Sequence, residues 1–436
     1  MTLPSLPTDF TRDLAARLAA ADGALSRLYP GDSGRRQPVH TVYVGADRFQ
    51  ADLVARYGAS ALEALAEHAP EPADLARALG LPEDLAAAIH PRIVEKIQRE
   101  PIEDLRLDFE DGYGNRPDAE EDGHVREAAE AVASGMASGS LPPTVGIRIK
   151  PFSAELAARG IRTLDLFLTT VVERAGRLPP EFVVTLPKAR LAAQVEALAD
   201  LLDRLEAALS LAPGAVRLEV MIETTQAVFD VEGRVQLRQL VAAGRGRTKG
   251  AHFGVYDYTT ALEITAAHQT LDHPACDLAR QLIQAALAGT GVELSDGATN
   301  VLPVGTQEAV HAAWRLHYGH VRRALAGGLY QGWDLHPAQL PSRYAAVYAF
   351  FLEGLPAAAA RLASFVAQAT RATLEGAVFE DVATGQGLLN YLLRAIHCGA
   401  LAEEEARAQT GLTGPELAGR SFAGILLGRR SDPAET

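Results

Sequence analysis

Eight short apolar runs, rich in Val, Ile, Leu, Phe and Tyr, recur along most of this chain, and amphipathic Ala- and Leu-rich stretches of helical period separate most of them. The runs fall at 40–45, 105–109, 145–149, 182–186, 216–222, 251–256, 291–294 and 329–335, with clear helical stretches at 191–209, 274–288 and 306–326. A strand followed by a helix returns the chain to the same edge of a sheet, so strands joined in this way pair in parallel. Eight β-then-α units predict a closed α/β architecture, the (β/α)8 or TIM barrel, rather than an open sheet.

The remainder reads as extensions to that barrel. Residues 1–39 are expected to hold a helix at 8–28 and a linker through Pro30, Gly31 and Gly34. The catalytic barrel is expected over 40–370, and a C-terminal helical tail or lid over 371–436, with helices at 386–398 and 402–409. The first connection, 47–100, has room for two or three helices broken at Pro70 and Pro82. Glu403, Glu404 and Glu405 read as a solvated helix start, where negative charge suits the dipole.

Composition narrows the function classes. With 436 residues, 48% hydrophobic and 22% charged, the chain is ordinary for a barrel with extensions. Its formal net charge of -14 argues against a nucleic-acid partner and against docking on anionic membranes. The two cysteines, Cys276 and Cys398, form no CxxC or metal-ligand spacing, which points to a reducing, cytoplasmic setting. Asp9, Arg12, Asp13 and Arg17 interrupt the N-terminal stretch, which is not expected to be a signal peptide. The most apolar stretch, 344–360, contains Glu353 and Pro356, so no membrane span is expected.

Charged residues gather where the apolar runs end. They stand in Asp108-Phe109-Glu110-Asp111, Ile147-Arg148-Ile149-Lys150, Leu186-Pro187-Lys188, Met221-Ile222-Glu223-Thr224 and Tyr256-Asp257-Tyr258. In a parallel barrel the C-terminal strand ends form the catalytic rim. Glu223 and Asp257, on neighbouring strands, can each give an oxygen to a divalent cation and leave coordination sites for substrate and water. The alternative is a helix cap for Glu223 and a turn for Asp257. Arg148 can grip a carboxylate with two hydrogen bonds and neutralise a developing oxyanion; Lys150 shares its side of the strand. Glu110 and Asp111 are placed to accept hydrogen bonds from metal-bound water, or to pair with Arg148. Lys188 is assigned to the structural network below the site. One of Tyr256 and Tyr258 is expected in the core and one at the rim. Gly244-Arg245-Gly246-Arg247 precedes a strand, so it reads as a surface turn at the opposite end. His336, after the eighth strand, has either a structural hydrogen bond or a catalytic role.

In order along the chain these motifs, together with Val42-Tyr43-Val44-Gly45, Phe253-Gly254-x-x-Asp257 and His336-Pro337-x-Gln339, resemble the HpcH/HpaI aldolase and citrate lyase β-subunit family over about residues 40–345. The resemblance implies a (β/α)8 barrel that uses Mg2+, with Mn2+ as the alternative, to make or break a carbon–carbon bond next to a carbonyl. It carries the metal ligands onto Glu223 and Asp257, and the carboxylate- and oxyanion-binding arginine onto Arg148. It also implies a homo-oligomer, trimer or hexamer. Other segments are similar to malate synthase: Ile222-Glu223-Thr224-Thr225-Gln226-Ala227-Val228-Phe229, Gly254-Val255-Tyr256-Asp257-Tyr258, Trp333-x-x-His336-Pro337, and Phe379-Glu380-Asp381-Val382-Ala383-Thr384 in the tail. The last implies that Asp381 is a catalytic base brought over the barrel mouth. Trp333 follows Gly332 where citrate-lyase-like chains have a lysine for coenzyme A, which puts Trp333 and His336 beside the substrate or just behind it.

The sequence therefore predicts a Mg2+-dependent lyase or aldolase acting on a small oxo or hydroxy acid. Its alternative is a malate-synthase-type acyltransferase that uses a coenzyme A thioester and glyoxylate. A second alternative is a metal-binding subunit without activity of its own.

Overall fold

The computed structural model describes residues 5–32, 34–374 and 382–431. Eight parallel strands close into one barrel in sequence order. They are β1 (His40–Gly45), β2 (Asp104–Asp108), β3 (Thr144–Arg148), β4 (Val183–Leu186), β5 (Arg217–Ile222), β6 (Thr248–Phe253), β7 (Glu293–Ala298) and β8 (Gln331–Asp334). Closure is made by β1 against β8, with His40 opposite Gly332 and Val42 opposite Asp334. The aliphatic residues that point outward, among them Val42, Leu105, Leu107, Ile147, Val184 and Val220, pack on the surrounding helices as one continuous core.

Local chemistry sets the helix ends. Pro72 opens the helix Pro72–Leu79, where Asp74 accepts from the Glu71 amide at 3.1 Å. Left-handed Gly139 and Gly176, at φ 68° and 72°, close Asp118–Ser138 and Ala157–Ala175. The first connection holds three helices, Leu53–His68, Pro72–Leu79 and Glu83–Arg99, with Pro70 and Pro82 in the breaks. The N-terminal helix runs Thr8–Leu28, as expected.

Two strands lie off their expected positions. β6 starts at Thr248, three residues early, because Thr248, Lys249 and Gly250 carry no apolar signal; Gly250 is needed where Glu219 and His252 crowd the barrel interior. β7 extends to Ala298 because Asp296, which reads as loop, is buried against Arg280 at 3.0 Å. The segment Pro337–Gln368 is long and apolar enough to cross a membrane by length and composition, contrary to expectation. Its residues Tyr344 to Ala349 are completely buried against the barrel and its neighbours, which accounts for the apolar run.

That helix, Leu340–Leu374, begins at the rim and has reached the opposite end of the barrel by Phe351, which stacks on Tyr330 just before β8. The described tail helices, Val382–His397, Glu403–Thr410, Gly414–Gly419 and Phe422–Ser431, pack on that side. Arg394 donates to Gln37 at 3.0 Å and meets Asp32 at 3.1 Å, and Arg92 pairs with Glu405 at 2.7 Å. The described tail is thus no lid over the rim.

Candidate active site

The rim rests on a charged barrel interior. β2 reads Asp104-Leu105-Arg106-Leu107-Asp108, and the strand's two-residue period sends its three charged side chains inward. Arg106 is fully buried; it donates to Asp104 at 2.5 Å and to both oxygens of Glu219, at 2.6 and 3.0 Å. Thr185 also donates to Glu219, at 2.9 Å. Burial opposes the charge on Glu219, yet Arg106 and His252 hold its pKa well below the usual carboxylate range. Trp333 Nε1 donates to His252 Nδ1 at 3.1 Å, so the other ring nitrogen carries the hydrogen facing Glu219 at 3.2 Å. Trp333 packs against Tyr43 with ring centres 4.5 Å apart and planes tilted by 30°. The Tyr43 hydroxyl is buried without a hydrogen-bond partner among the described residues.

Above this layer, Arg148 ends β3. Its Nε and Nη2 donate to the two oxygens of Asp108 at 2.7 and 2.5 Å. Asp108 also accepts from the amides of Glu110 and Gly112, at 2.9 and 2.7 Å, so the loop after β2 is wrapped around one carboxylate. The third guanidinium nitrogen, Nη1, lies 3.2 Å from Glu110 and 3.7 Å from Met221 Sδ, with the Tyr43 and Trp333 rings 4.9 and 5.9 Å from the guanidinium carbon. Arg148 is therefore held rigid while one nitrogen faces the mouth. Lys150 turns away: it donates to the Phe109 and Gly114 carbonyls at 2.8 and 3.1 Å and meets Glu121 at 3.2 Å.

Lys188 corrects the expectation of a residue below the site. Two residues past β4, it adopts φ 48°, a left-handed backbone unusual for a side chain of this kind. That turn aims its amide at Glu223 Oε1, 2.6 Å away, and its ammonium at Glu110 (2.5 Å), Asp111 (3.0 Å) and Asp257 (3.1 Å). Lys188 thus joins the segments that follow four strands, β2, β4, β5 and β6, at the rim.

Glu223 follows β5 and is 2% exposed. The cap of the next short helix is Thr224, which accepts from the Ala227 amide at 3.0 Å, so Glu223 is free of that task. A Cβ at Gly254 would collide with the Glu223 side chain, so the first position after β6 must stay bare for this carboxylate to fit. Burial pushes the Glu223 pKa up to about 8; Asp257 and Glu110 add to the rise, while Lys188 and Arg148 oppose it. Asp257 does not end a strand. It lies in the first turn of the helix Val255–Ala261, with its side chain 39% exposed. Tyr258 is in the core, and the Tyr256 hydroxyl donates to Ala298 at 3.0 Å.

Other expectations sort as structural. His336 accepts from the Ala338 amide at 3.2 Å and caps Pro337–Gln339, and burial lowers its pKa. Arg247 is bound to Glu206 and Asp203, and Arg245 meets Asp200 at 2.6 Å, so the Gly244–Arg247 turn is saturated by carboxylates. Asp381 lies outside the described residues. Missed in the sequence were Arg106, Glu219, His252 and the Asp108 anchor. The alternating charges of β2 were the available signal.

At the mouth, five carboxylates (Asp108, Glu110, Asp111, Glu223 and Asp257) face two cations, Arg148 and Lys188. No group of three or more His, Cys, Asp or Glu forms a ready-made metal cage among the described residues. Glu223 and Asp257 are instead a two-carboxylate set, the kind that suits Mg2+ with water and substrate completing its shell.

A family model described as "Domain of unknown function (DUF6986)" matches residues 18–425. No curated protein matches the chain in sequence. Solved structures similar to it include the Haloferax volcanii malate synthase lead(II) complex, at 14% identity over 91% of this chain and 99% of that chain, with TM-score 0.46. The citrate lyase β subunit from M. tuberculosis, complexed with oxaloacetate and magnesium, is 19% identical over 72% of this chain and 98% of that chain, with TM-score 0.41. An HpcH/HpaI aldolase/citrate lyase family protein from Burkholderia cenocepacia is 14% identical over 73% and 94%, with TM-score 0.40. The kinds of protein that the motifs resemble are thus all among the similar folds.

Proposed function

The chain belongs to the DUF6986 family, and we propose that it is a Mg2+-dependent enzyme that makes or breaks a carbon–carbon bond next to the carbonyl of a small oxo acid. The observation that carries this reading is the charge imbalance at the mouth. Lys188 and Arg148 leave the five carboxylates with an excess of negative charge that a divalent cation held by Glu223 and Asp257 would offset. When bound, the metal supplies positive charge beside the carbonyl and carboxylate oxygens of the substrate.

The protein's own groups do the rest. Asp108 fixes Arg148 through two hydrogen bonds, so the nitrogen facing the mouth binds the substrate's carboxylate or its developing oxyanion without reorganising. Lys188 holds Glu223 by its amide and positions Glu110 and Asp111 by its ammonium. Trp333 and Tyr43 set aromatic rings beside the guanidinium. Trp333 stands where the resemblance expects a lysine for coenzyme A, so that one cation is missing from this position.

The test is to incubate purified protein and Mg2+ with a panel of hydroxy acids and, separately, with acyl-CoA esters plus glyoxylate. Released glyoxylate, pyruvate or oxaloacetate, abolished in Glu223→Ala and Asp257→Ala variants that remain folded, supports the reading. Condensation of an acyl-CoA with glyoxylate would identify the malate-synthase-type reaction instead. Wild-type turnover by either variant without added metal refutes the metal site.

A further inference from the structure

The N-terminal helix, Thr8–Leu28, contains no buried residue. At 1.5 Å per residue it extends roughly 31 Å. Leu14, Leu18, Leu25 and Leu28 are 40%, 60%, 55% and 59% exposed. Most protein helices are stabilised chiefly by packing an apolar face rather than by propensity alone. The Ala-rich sequence favours a helix but does not supply a face to pack against.

The spacing of that face is specific. Leu14, Leu18, Ala21, Leu25 and Leu28 follow one another at intervals of four, three, four and three. That spacing matches the seam of a two-stranded coiled coil, with Leu18 and Leu25 at its first heptad position and Leu14, Ala21 and Leu28 at its fourth. The flanking residues fix the direction. Arg17 and Asp22 border the seam five residues apart, and among the described residues neither makes an ion pair within the chain. In a parallel pair each Arg17 meets Asp22 of the other copy, twice over; in an antiparallel pair Arg17 would face Arg17. Gly23 falls on the outermost position, away from the seam.

The helix is also anchored. The Arg238 guanidinium lies 4.3 Å from the Tyr29 ring centre, and the Gly31 amide donates to the Gly289 carbonyl at 2.9 Å. Gly289 precedes β7, so the helix is rooted at the barrel end opposite the candidate site.

We infer that residues 14–28 form a parallel coiled-coil seam with a second copy of this chain. The inference is independent of the proposed reaction. Because no residue of the helix is buried among the described residues, Leu18→Asp leaves the barrel intact, which circular dichroism and thermal unfolding verify. Light scattering at micromolar concentration should report a mass for Leu18→Asp half that of the parent. The direction is tested with Leu18→Cys: both native cysteines are buried, so the new thiol is the accessible one. Mild oxidation should link two chains through it, since a parallel seam sets Leu18 beside its own equivalent. An unchanged mass for Leu18→Asp would overturn the pairing. Halving without cross-linking in Leu18→Cys would overturn the parallel direction.

Discussion

If Glu223 is a metal ligand as proposed, it should set a pH limit on metal uptake. Its carboxyl is 2% exposed, accepts the Lys188 amide at 2.6 Å, and shares the mouth with Asp257 and Glu110. Burial first, and those carboxylates second, push its pKa up to about 8 against the pull of Lys188 and Arg148. A carboxyl must lose its proton to ligate a metal, so below that pH each metal bound displaces one proton. The apparent Mg2+ affinity should then fall toward a limiting slope of about tenfold per pH unit, which is about 50-fold or ~2.3 kcal/mol between pH 8 and pH 6. The sign for the metal-free fold is the reverse. With the pKa raised from 4.5 to about 8, the stabilising contribution of protonated Glu223 is complete below 4.5 and is lost as pH rises through 8. Isothermal titration calorimetry across that range, in buffers of different ionisation enthalpy, measures both the affinity and the number of protons released. Affinity flat within about twofold, with no proton released, would show that Glu223 is already ionised in the free protein and would refute the electrostatic argument.

Four further outcomes follow from the same geometry. Arg148→Lys keeps the charge but loses the fork held by Asp108, and turnover should fall by about 100-fold or more in steady-state assays. Gly254→Ala should abolish Mg2+ binding by calorimetry although it alters no ligand, because the new methyl displaces Glu223; unchanged affinity would show that the carboxylate can move aside. Arg106→Met leaves Glu219 and Asp104 buried without their partner, and should cost about 3–5 kcal/mol in denaturant unfolding. Asp381→Asn should bind Mg2+ and oxo acid normally while losing deuterium exchange at the substrate's α-carbon by NMR; exchange at the parent rate removes Asp381 from proton transfer.

The barrel was legible because its outward-facing residues are aliphatic and its strands alternate with long amphipathic helices. β1 stands where its Val-Tyr-Val run predicts, whereas β6 and β7 were displaced because a buried Asp296 and a bare Gly250 look like loop until their partners are known. The rim was legible for a related reason: Glu223, Arg148 and the Glu110-Asp111 pair each interrupt an apolar run at its end. Lys188 was misplaced because its position depends on a left-handed turn that sequence spacing does not reveal. Asp108 was quoted in its motif but not given its task, since only the folded loop shows one carboxylate collecting two amides and a guanidinium.

The column from Trp333 through His252 and Glu219 to Arg106 and Asp104 bears on how such a protein can diverge. Each member satisfies the next, so a single change at any level leaves a buried charge or donor stranded. A single substitution at one of these interior positions is costly unless its partner changes with it. New substrate preferences in descendants of this chain would have to enter through the loops after β2, β6 and β7, while the interior stays frozen or changes several residues at once.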